Sequence, residues 1–292
     1  MTTFTGQASG ASAVTLSRLP FPQVFVPLDF EAIVAALKAA IIAEAPEAEA
    51  VLALEGELLV KACQIFAARE LALYARMNDA ARVRFIAYAE GADLDATVAL
   101  LGVFRLEGET DDALRIRAIL GPEAYSTAGP ARAYVFHAMT ADADVLDASC
   151  TSPSPGQVVI TVLSRLNDGA ASEPMLAAVA DACSAEDVRP ITDQVIVQAA
   201  EVLTYAVEAE VMTFPGAAAE RALEEGQKRL EQLVSDRFGL GRAITRSAII
   251  AALTVDGVQN VLLAEPAEDL DVSFLQAARC TSIDITHGGV AE

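Results

Sequence analysis

Apolar and polar residues follow two different patterns along this chain of 292 residues. Between about 29 and 140, apolar residues recur every three or four positions, which places them on one face of an α-helix. After about 141, short β-branched segments alternate with amphipathic ones, which is typical of strands and helices in turn. The pattern predicts an α+β fold, with a helical N-terminal half followed by two small α/β units that each run strand, helix, strand.

Turn-forming residues between these segments divide the chain into four predicted parts. They are an extended N-terminal arm over 1–28, a helical domain over 29–140, a first α/β domain over 141–202 and a second α/β domain over 203–292. A chain of this length is about two ordinary domains long, so it can bury a substantial core.

The N-terminal arm contains the stretch from Leu19 to Leu28, whose three prolines favour an extended backbone. Within it, Val24, Phe25 and Val26 are apolar without helical spacing. We therefore expect the arm to lie against another surface. That surface belongs either to the same chain or to a neighbouring one.

The longest predicted helix runs from about Glu55 to Glu90, and Gly91 is expected to end it. Apolar residues occupy one line along this helix and also occur on the opposite side of the helical wheel. A helix that is apolar on more than one side needs several neighbours, which a bundle supplies. The line consists of Cys63, Phe66, Tyr74, Met77, Ala81, Phe85 and Tyr88.

Part of this apolar surface is expected to bind other chains, because apolar helices that cannot be covered within one chain favour oligomerisation. The candidate partner-interface residues are Phe66, Leu73, Met77 and Tyr88. The alternative is that these four side chains belong to an ordinary intrachain core.

Four segments of the second half predict strands, one of which follows a turn in "VRPITDQVIVQAAE". "QVVITVLS" is β-branched and apolar throughout, as in a strand covered on both faces, whereas "LTYAVEAEVMTF" alternates apolar and polar residues, as in a half-exposed one. "GVQNVLLAEP" is expected to be the closing strand. This assignment leaves His287 in a flexible C-terminal tail.

Composition argues against several classes of partner and site. Lys and Arg number 20 and Asp and Glu 41, giving a net charge of −21, which repels phosphate backbones and anionic lipid headgroups. We therefore expect neither nucleic acid nor a membrane as a partner. The four cysteines lie far apart without a C-x-x-C pair, so each is expected to be a small buried hydrophobic residue.

The stretch "GPEAYSTAGPARAYVFHAM", from Gly121 to Met139, is the strongest candidate for an active site. It holds Ser126 and His137, but a nucleophile and base need an orienting third group, and no acid is identifiable for that role. Glycine followed by proline is instead typical of a helix start, where Ser126 or Thr127 accepts hydrogen bonds from free amides. We predict a helix start and no catalytic residue.

Clusters of acidic residues are expected to be solvated surface and not metal sites. Asp142, Asp144 and Asp147 lie close together, and "DLD" occurs at 93–95 and 269–271. A calcium loop also needs a tight-turn glycine and a late glutamate, which the first two of these stretches lack. "FGLGRAI" lacks the third glycine of a dinucleotide loop. We predict no metal and no cofactor.

The order of segments and three short motifs resemble the baseplate J family, the wedge proteins of contractile phage tails and tailocins. The motif A-x-G-A-D-L-D occurs at Ala89 to Asp95, an "ETDD" at Glu109 to Asp112, and "STAGP" at Ser126 to Pro130. The resemblance covers about residues 18 to 290.

This resemblance implies a structural role, in the tail baseplate of a virion assembled in the bacterial host cytoplasm. Family members pair within a wedge, bind a neighbouring tail protein of the gene I product type, and join wedges into a sixfold ring around the central hub. We expect the second half of the chain to make the contact between wedges. The family has no catalytic residues to carry over.

Two other functions remain open from the residues alone. A tail-associated hydrolase with an active site of scattered carboxylates predicts a concave pocket around a perturbed acid. A free-standing cytoplasmic adaptor predicts a stable monomer at high dilution.

Overall fold

The computed structural model describes residues 7–9, 24–126, 129–216 and 218–290. The chain forms two compact units. One lies within Thr15–Leu100 and is called here the helical unit. The other, the sheet unit, comprises Leu101–Glu292 together with Met1–Val14.

The helical unit is built on two helices that pack against each other. Its helices are α1 (Phe30–Glu44), α2 (Glu49–Leu52), α3 (Leu58–Arg82) and α4 (Gly91–Ala99). The carboxylate of Asp29 caps α1 by accepting a hydrogen bond from the Ala32 amide at 3.0 Å, as predicted. Val60 and Cys63 of α3 are buried against Leu37 and Ile41 of α1.

The long helix is shorter than the sequence predicted. It ends at Arg82 and is followed by turns, so the predicted end at Gly91 was wrong. Gly91 is instead the first residue of α4, with φ at +52°. A glycine tolerates this left-handed backbone, which explains why an apparent stop signal stands at a helix start.

The sheet unit combines helices with two sheets, which confirms the predicted α+β fold. Its helices are α5 (Asp111–Leu120), α6 (Ala131–Ala141), α7 (Glu173–Ser184), α8 (Ala219–Arg237) and α9 (Arg246–Leu253). Its strands are β1 (Gln7–Ser9), β2 (Val145–Thr151), β3 (Gln157–Ser164), β4 (Gln194–Ala199), β5 (Glu201–Thr213), β6 (Val258–Glu265) and β7 (Gln276–Val290).

The first sheet has the order β1-β2-β3-β4. Strand β3 is antiparallel to β2 and parallel to β4, and its burial confirms the prediction of a covered strand. The N-terminal segment contributes β1, which pairs antiparallel with Ser149–Thr151 of β2. Part of the predicted arm therefore lies on its own chain. Strand β2 was not predicted, because its apolar residues lie among Asp142, Asp144 and Asp147, which were interpreted as solvated surface.

The second sheet has the order β6-β5-β7, with β5 antiparallel to β6 and parallel to β7. Val207, Ala209 and Val211 of β5 are buried and alternate with exposed glutamates, as predicted. The predicted closing strand is not the last one. Strand β7 follows β6, and His287 lies within it, where its Nε2 is 3.1 Å from the Thr213 hydroxyl. The predicted flexible tail around His287 was wrong.

A buried ion pair fixes the start of the sheet unit. The guanidinium of Arg117 donates from Nε and Nη2 to the two oxygens of Glu109, both at 2.7 Å, and Nη2 also donates to the Phe104 carbonyl. Both charged side chains are at most 3% exposed. Glu109 also accepts from the Leu106 amide at 2.9 Å. The pair therefore ties the loop before α5 to the helix itself.

Candidate interaction surface

Helix α3 carries a row of large apolar side chains that face solvent. Phe66 is 63% exposed, Leu73 61% and Met77 58%, and Ile65 beside them is 63% exposed. Spacings of seven and four residues place Phe66, Leu73 and Met77 on one side of an α-helix. We call Ile65, Phe66, Leu73 and Met77 the α3 stripe. In the single chain the stripe is not part of a core.

The stripe is exposed because helices α1 and α2 pack against the other side of α3. Val60, Cys63 and Ala67 are buried there and repeat with the helical spacing of three and four. The small core around them is completed by residues of α1 and α2. A helix 25 residues long with apolar residues on two sides is covered on only one of them. The exposed side is therefore available for other chains.

Two exposed arginines, Arg69 and Arg76, lie on the same side of α3 as the stripe. The whole chain carries a net charge of −21, so a local group of cations stands out against an acidic surface. Cationic side chains beside apolar and aromatic ones are typical of interface hot spots, where arginine is enriched.

Tyr88, the fourth predicted interface residue, has a different environment. It is half-buried, and its ring packs edge-on against Phe25 and Phe85, with centroid separations of 6.4 and 6.3 Å. Phe25 belongs to the proline-rich stretch of the predicted arm. This aromatic group therefore holds part of the arm on the body of the helical unit.

Asn78 of α3 holds the same stretch through its side-chain amide. Its Oδ1 accepts from the Val26 amide and its Nδ2 donates to the Val26 carbonyl, both at 2.8 Å. An extended backbone presents both groups to one side, so a single carboxamide satisfies both. Beside it lies an open groove of about 360 Å³, lined by Phe25, Val26, Pro27, Leu28, Ala75, Asn78, Asp79 and Arg82. Asp79 is the one carboxylate among these lining residues.

The stretch from Gly121 to Met139 contains a helix start, as predicted. Helix α6 begins after Pro130, and no side chain caps its first turn. The predicted cap by Ser126 is therefore absent from the described residues, and Thr127 lies outside them. No hydrogen bond joins Ser126 to His137 within the described parts of the chain. Burial lowers the pKa of His137, whose ring packs edge-on against Phe136 at 5.4 Å.

The "STAGP" motif has a packing role. Gly129 adopts φ +67°, and a Cβ there would lie 2.6 Å from Cγ of Pro190. Nearby, the hydroxyl of Tyr134 donates to Asp193 at 2.9 Å, and burial together with this carboxylate raises the pKa of Tyr134. Glycine is needed here by conformation and by space, so the motif connects α6 to the turn before β4.

The cysteines are mostly buried, as predicted. Cys63, Cys150 and Cys183 are buried, whereas Cys280 is partly exposed, so the prediction was wrong for Cys280. Burial raises the pKa of Cys150 and of Cys183 to about 12. A thiol with so high a pKa is a poor nucleophile at neutral pH, since the thiolate is the reactive form.

The acidic clusters differ in their environments. Asp147 is 3% exposed, and its Oδ2 accepts from the Leu240 amide at 3.0 Å, so the expectation that it belongs to a solvated surface was wrong. Glu109 and Asp147 are the buried carboxylates of the described residues, and both bind partners that fix the fold.

Within the described residues, no group of three or more His, Cys, Asp or Glu is placed to hold a metal ion. Among them, too, no helix has the length and hydropathy of a membrane span.

Comparison with known proteins gives a consistent result along the chain. Three family models match, described as the Baseplate J-like N-terminal domain at residues 55–112, the Baseplate J-like central domain at residues 126–199 and the Baseplate J-like protein C-terminal domain at residues 205–286. A curated relative, Baseplate protein J of Escherichia phage P2, is 42% identical over 301 residues. This similarity spans 96% of the present chain and 99% of the relative.

Proposed function

The chain belongs to the baseplate J-like family, and from this membership we propose that it self-associates within a baseplate wedge and links neighbouring wedges into a sixfold ring around the tail hub. The family predicted from the sequence is confirmed. The protein is a structural component of the phage tail baseplate and hence of the virion.

One observation carries the proposal of self-association, namely the α3 stripe. Soluble monomers seldom expose several large apolar side chains side by side, because burying such a side chain is worth about 1.5–3 kcal/mol. Three of the four stripe residues, Phe66, Leu73 and Met77, are those that the apolar pattern identified. Each is more than half exposed in the single chain. A second copy of α3 would cover them.

Tyr88 has a smaller part in this proposal than the stripe. Because its ring already packs against Phe25 and Phe85, a partner chain would gain little further apolar burial from it. We assign it to the support of the interface, where it fixes the arm beside the C-terminal half of α3.

The sheet unit is proposed to make the contact between wedges. Within the described residues, each of its two sheets ends in strands that pair with another strand on one side only, and such an edge can be extended or covered by a neighbouring chain. The remaining proposed partners are the adjacent wedge protein of the gene I product type and the central hub. The net charge of −21 supports protein partners over nucleic acid or anionic lipid.

The proposed self-association is tested on the purified full-length chain. Light scattering after size exclusion is expected to give a multiple of the chain mass at micromolar concentration. Leu73→Asp is expected to weaken the association at least tenfold, since it removes an apolar side chain that the proposed interface would bury and adds a charge there.

Gln64→Asp is the matched control. Gln64 is exposed on α3 away from the stripe, so this variant adds the same charge to the same helix and is expected to associate like the wild type. A wild-type chain that stays monomeric at high concentration would support the adaptor function and refute self-association. Equal behaviour of the two variants would refute the role of the stripe.

A further inference from the structure

Strand β7 is the longest strand of the molecule and lies at the edge of its sheet. It spans 15 residues, and one side of it pairs with β5 over almost its whole length. On its other side, the described residues cover only the beginning, where Leu240 bridges to Ala277 and the Gly241 amide donates to the Gln276 carbonyl. From about Thr281 onwards, the outer edge therefore presents backbone amides and carbonyls to a further strand.

Between its two bulges, the exposed edge lacks most of the features by which proteins usually prevent strand pairing. Edge strands are commonly protected by lysine, proline, charge or a bulge. Between Thr281 and Val290 there is no Lys, Arg or Pro, and Asp284 is the one acidic residue. Irregularities in the pairing with β5 occur at Thr281 and at Gly288 only, so the stretch 282–287 is regular. A regular, nearly uncharged edge favours the addition of a strand.

The sequence of this edge is complementary to itself in one antiparallel register. Two copies related by a twofold axis at Ile285 place Ile285 opposite Ile285 of the second copy and Asp284 opposite Thr286 of the second copy. In that register Ile283 lies opposite His287 of the second copy, and no like charges face each other. An axis at Asp284 would instead oppose two aspartates, which is unfavourable. An axis at Ile283 would use less of the regular stretch.

The side chains of this edge suit such a pair. Ile283 and Ile285 are partly buried against the core of the second sheet, so they are already ordered on its covered face. Asp284 and Thr286 are exposed on the other face, whereas His287 lies beside the Thr213 hydroxyl. Pairing therefore requires little rearrangement of side chains or backbone, which lowers its entropic cost.

We propose that two copies of this chain join edge to edge through β7, in an antiparallel pair centred on Ile285 that extends the second sheet across both molecules. The inference rests on the proposed function, because it gives the contact between wedges a defined surface on the sheet unit. It is independent of the α3 stripe, which lies in the other unit.

The register makes a specific prediction about charge. Thr286→Lys places a cation opposite Asp284 of the second copy twice in each pair, whereas Thr286→Asp places an anion there. Such cross-strand pairs are expected to strengthen the association by roughly two- to thirtyfold for lysine and to weaken it by a similar factor for aspartate. Asp284→Lys combined with Thr286→Asp is expected to strengthen the association above that of the wild type, as Thr286→Lys alone does, because the facing charges are opposite in sign.

The measurement is sedimentation equilibrium of the full-length chain carrying Leu73→Asp, so that association through α3 is removed. Ser282→Lys and Ser282→Asp are the matched controls, since Ser282 lies on the same exposed side of β7 but faces Gly288 of the second copy. Circular dichroism checks that every variant is folded. The inference is supported if the Thr286 variants diverge in the predicted directions and the Ser282 variants do not.

Two results would overturn the inference. One is a Leu73→Asp chain that remains monomeric at the highest concentration and is unchanged by Thr286→Lys. The other is a set of Ser282 variants that behave like the Thr286 variants, since the effect would then follow total charge and not register. Failure of the proposed self-association through α3 would give a different result. The wild type and Leu73→Asp would then associate with the same affinity.

Discussion

Arg117→Met is expected to destabilise the N-terminal part of the sheet unit by about 3–5 kcal/mol, the usual cost of removing one partner of a buried ion pair. The variant leaves the carboxylate of Glu109 buried without the two hydrogen bonds at 2.7 Å that it now accepts. It also removes the donor to the Phe104 carbonyl. Hydrogen exchange of peptides covering α5 measures the loss as faster exchange.

Arg229→Met is the control for this experiment. Arg229 pairs with Glu225 of the same helix, α8, at 2.9 Å, and the two side chains are 53% and 49% exposed. Exposed pairs contribute about 0–1 kcal/mol, so peptides covering α8 in this variant are expected to exchange nearly like the wild type. Similar effects of the two substitutions would contradict the structural role assigned to the buried pair.

Ile160→Ala is expected to cost about 2–5 kcal/mol, because it leaves a cavity in the middle of the first sheet. Ile160 is completely buried on β3, between Cys150 of β2 and Val197 of β4. The loss is measured as a lower urea midpoint for the sheet unit. Ile191→Ala, at a position 95% exposed, is the control and is expected to change stability by less than about 0.5 kcal/mol. Equal losses of stability in the two variants would contradict the assignment of Ile160 to the core.

Two of the three short motifs that indicated the family have physical explanations in the structure. In "ETDD", Glu109 forms the buried ion pair, Thr110 caps α5 by accepting from the Ala113 amide, and Asp111 pairs with Arg105 at 2.7 Å. In "STAGP", Gly129 occupies a backbone conformation and a space that a larger residue would not fit. Because these motifs position elements of the fold, their presence predicts architecture and not chemistry.

Local patterns in the sequence predicted most helices and the covered strands correctly, whereas pairing partners were harder to predict. Strand β7 lies in the sequence "QAARCTSIDITHGGV", which has few apolar residues and two glycines near its end, so the pattern is weak. Strand β7 is stabilised by its long pairing with β5, which is a contact between distant parts of the chain. Asp147 was misjudged for a similar reason, because the Leu240 amide that it binds is 93 residues away.

The candidate interface was predictable in part. Helical spacing placed Phe66 and Met77 on one line, but spacing does not tell which apolar side of α3 packs against α1. Burial in the structure divides the predicted line, because Cys63 joins Val60 in the intrachain core whereas Phe66 and Met77 are exposed. The aromatic group around Tyr88 depends on Phe25, whose place on the helical unit could not be read from periodicity.

The central claim is that the α3 stripe is covered by another subunit in the assembled baseplate, and an electron cryomicroscopy map of the intact tail tests it most directly. We expect density of a neighbouring chain to pack on Phe66, Leu73 and Met77 in every copy of the protein in the baseplate. A map in which these three side chains face solvent in the complete baseplate would contradict it.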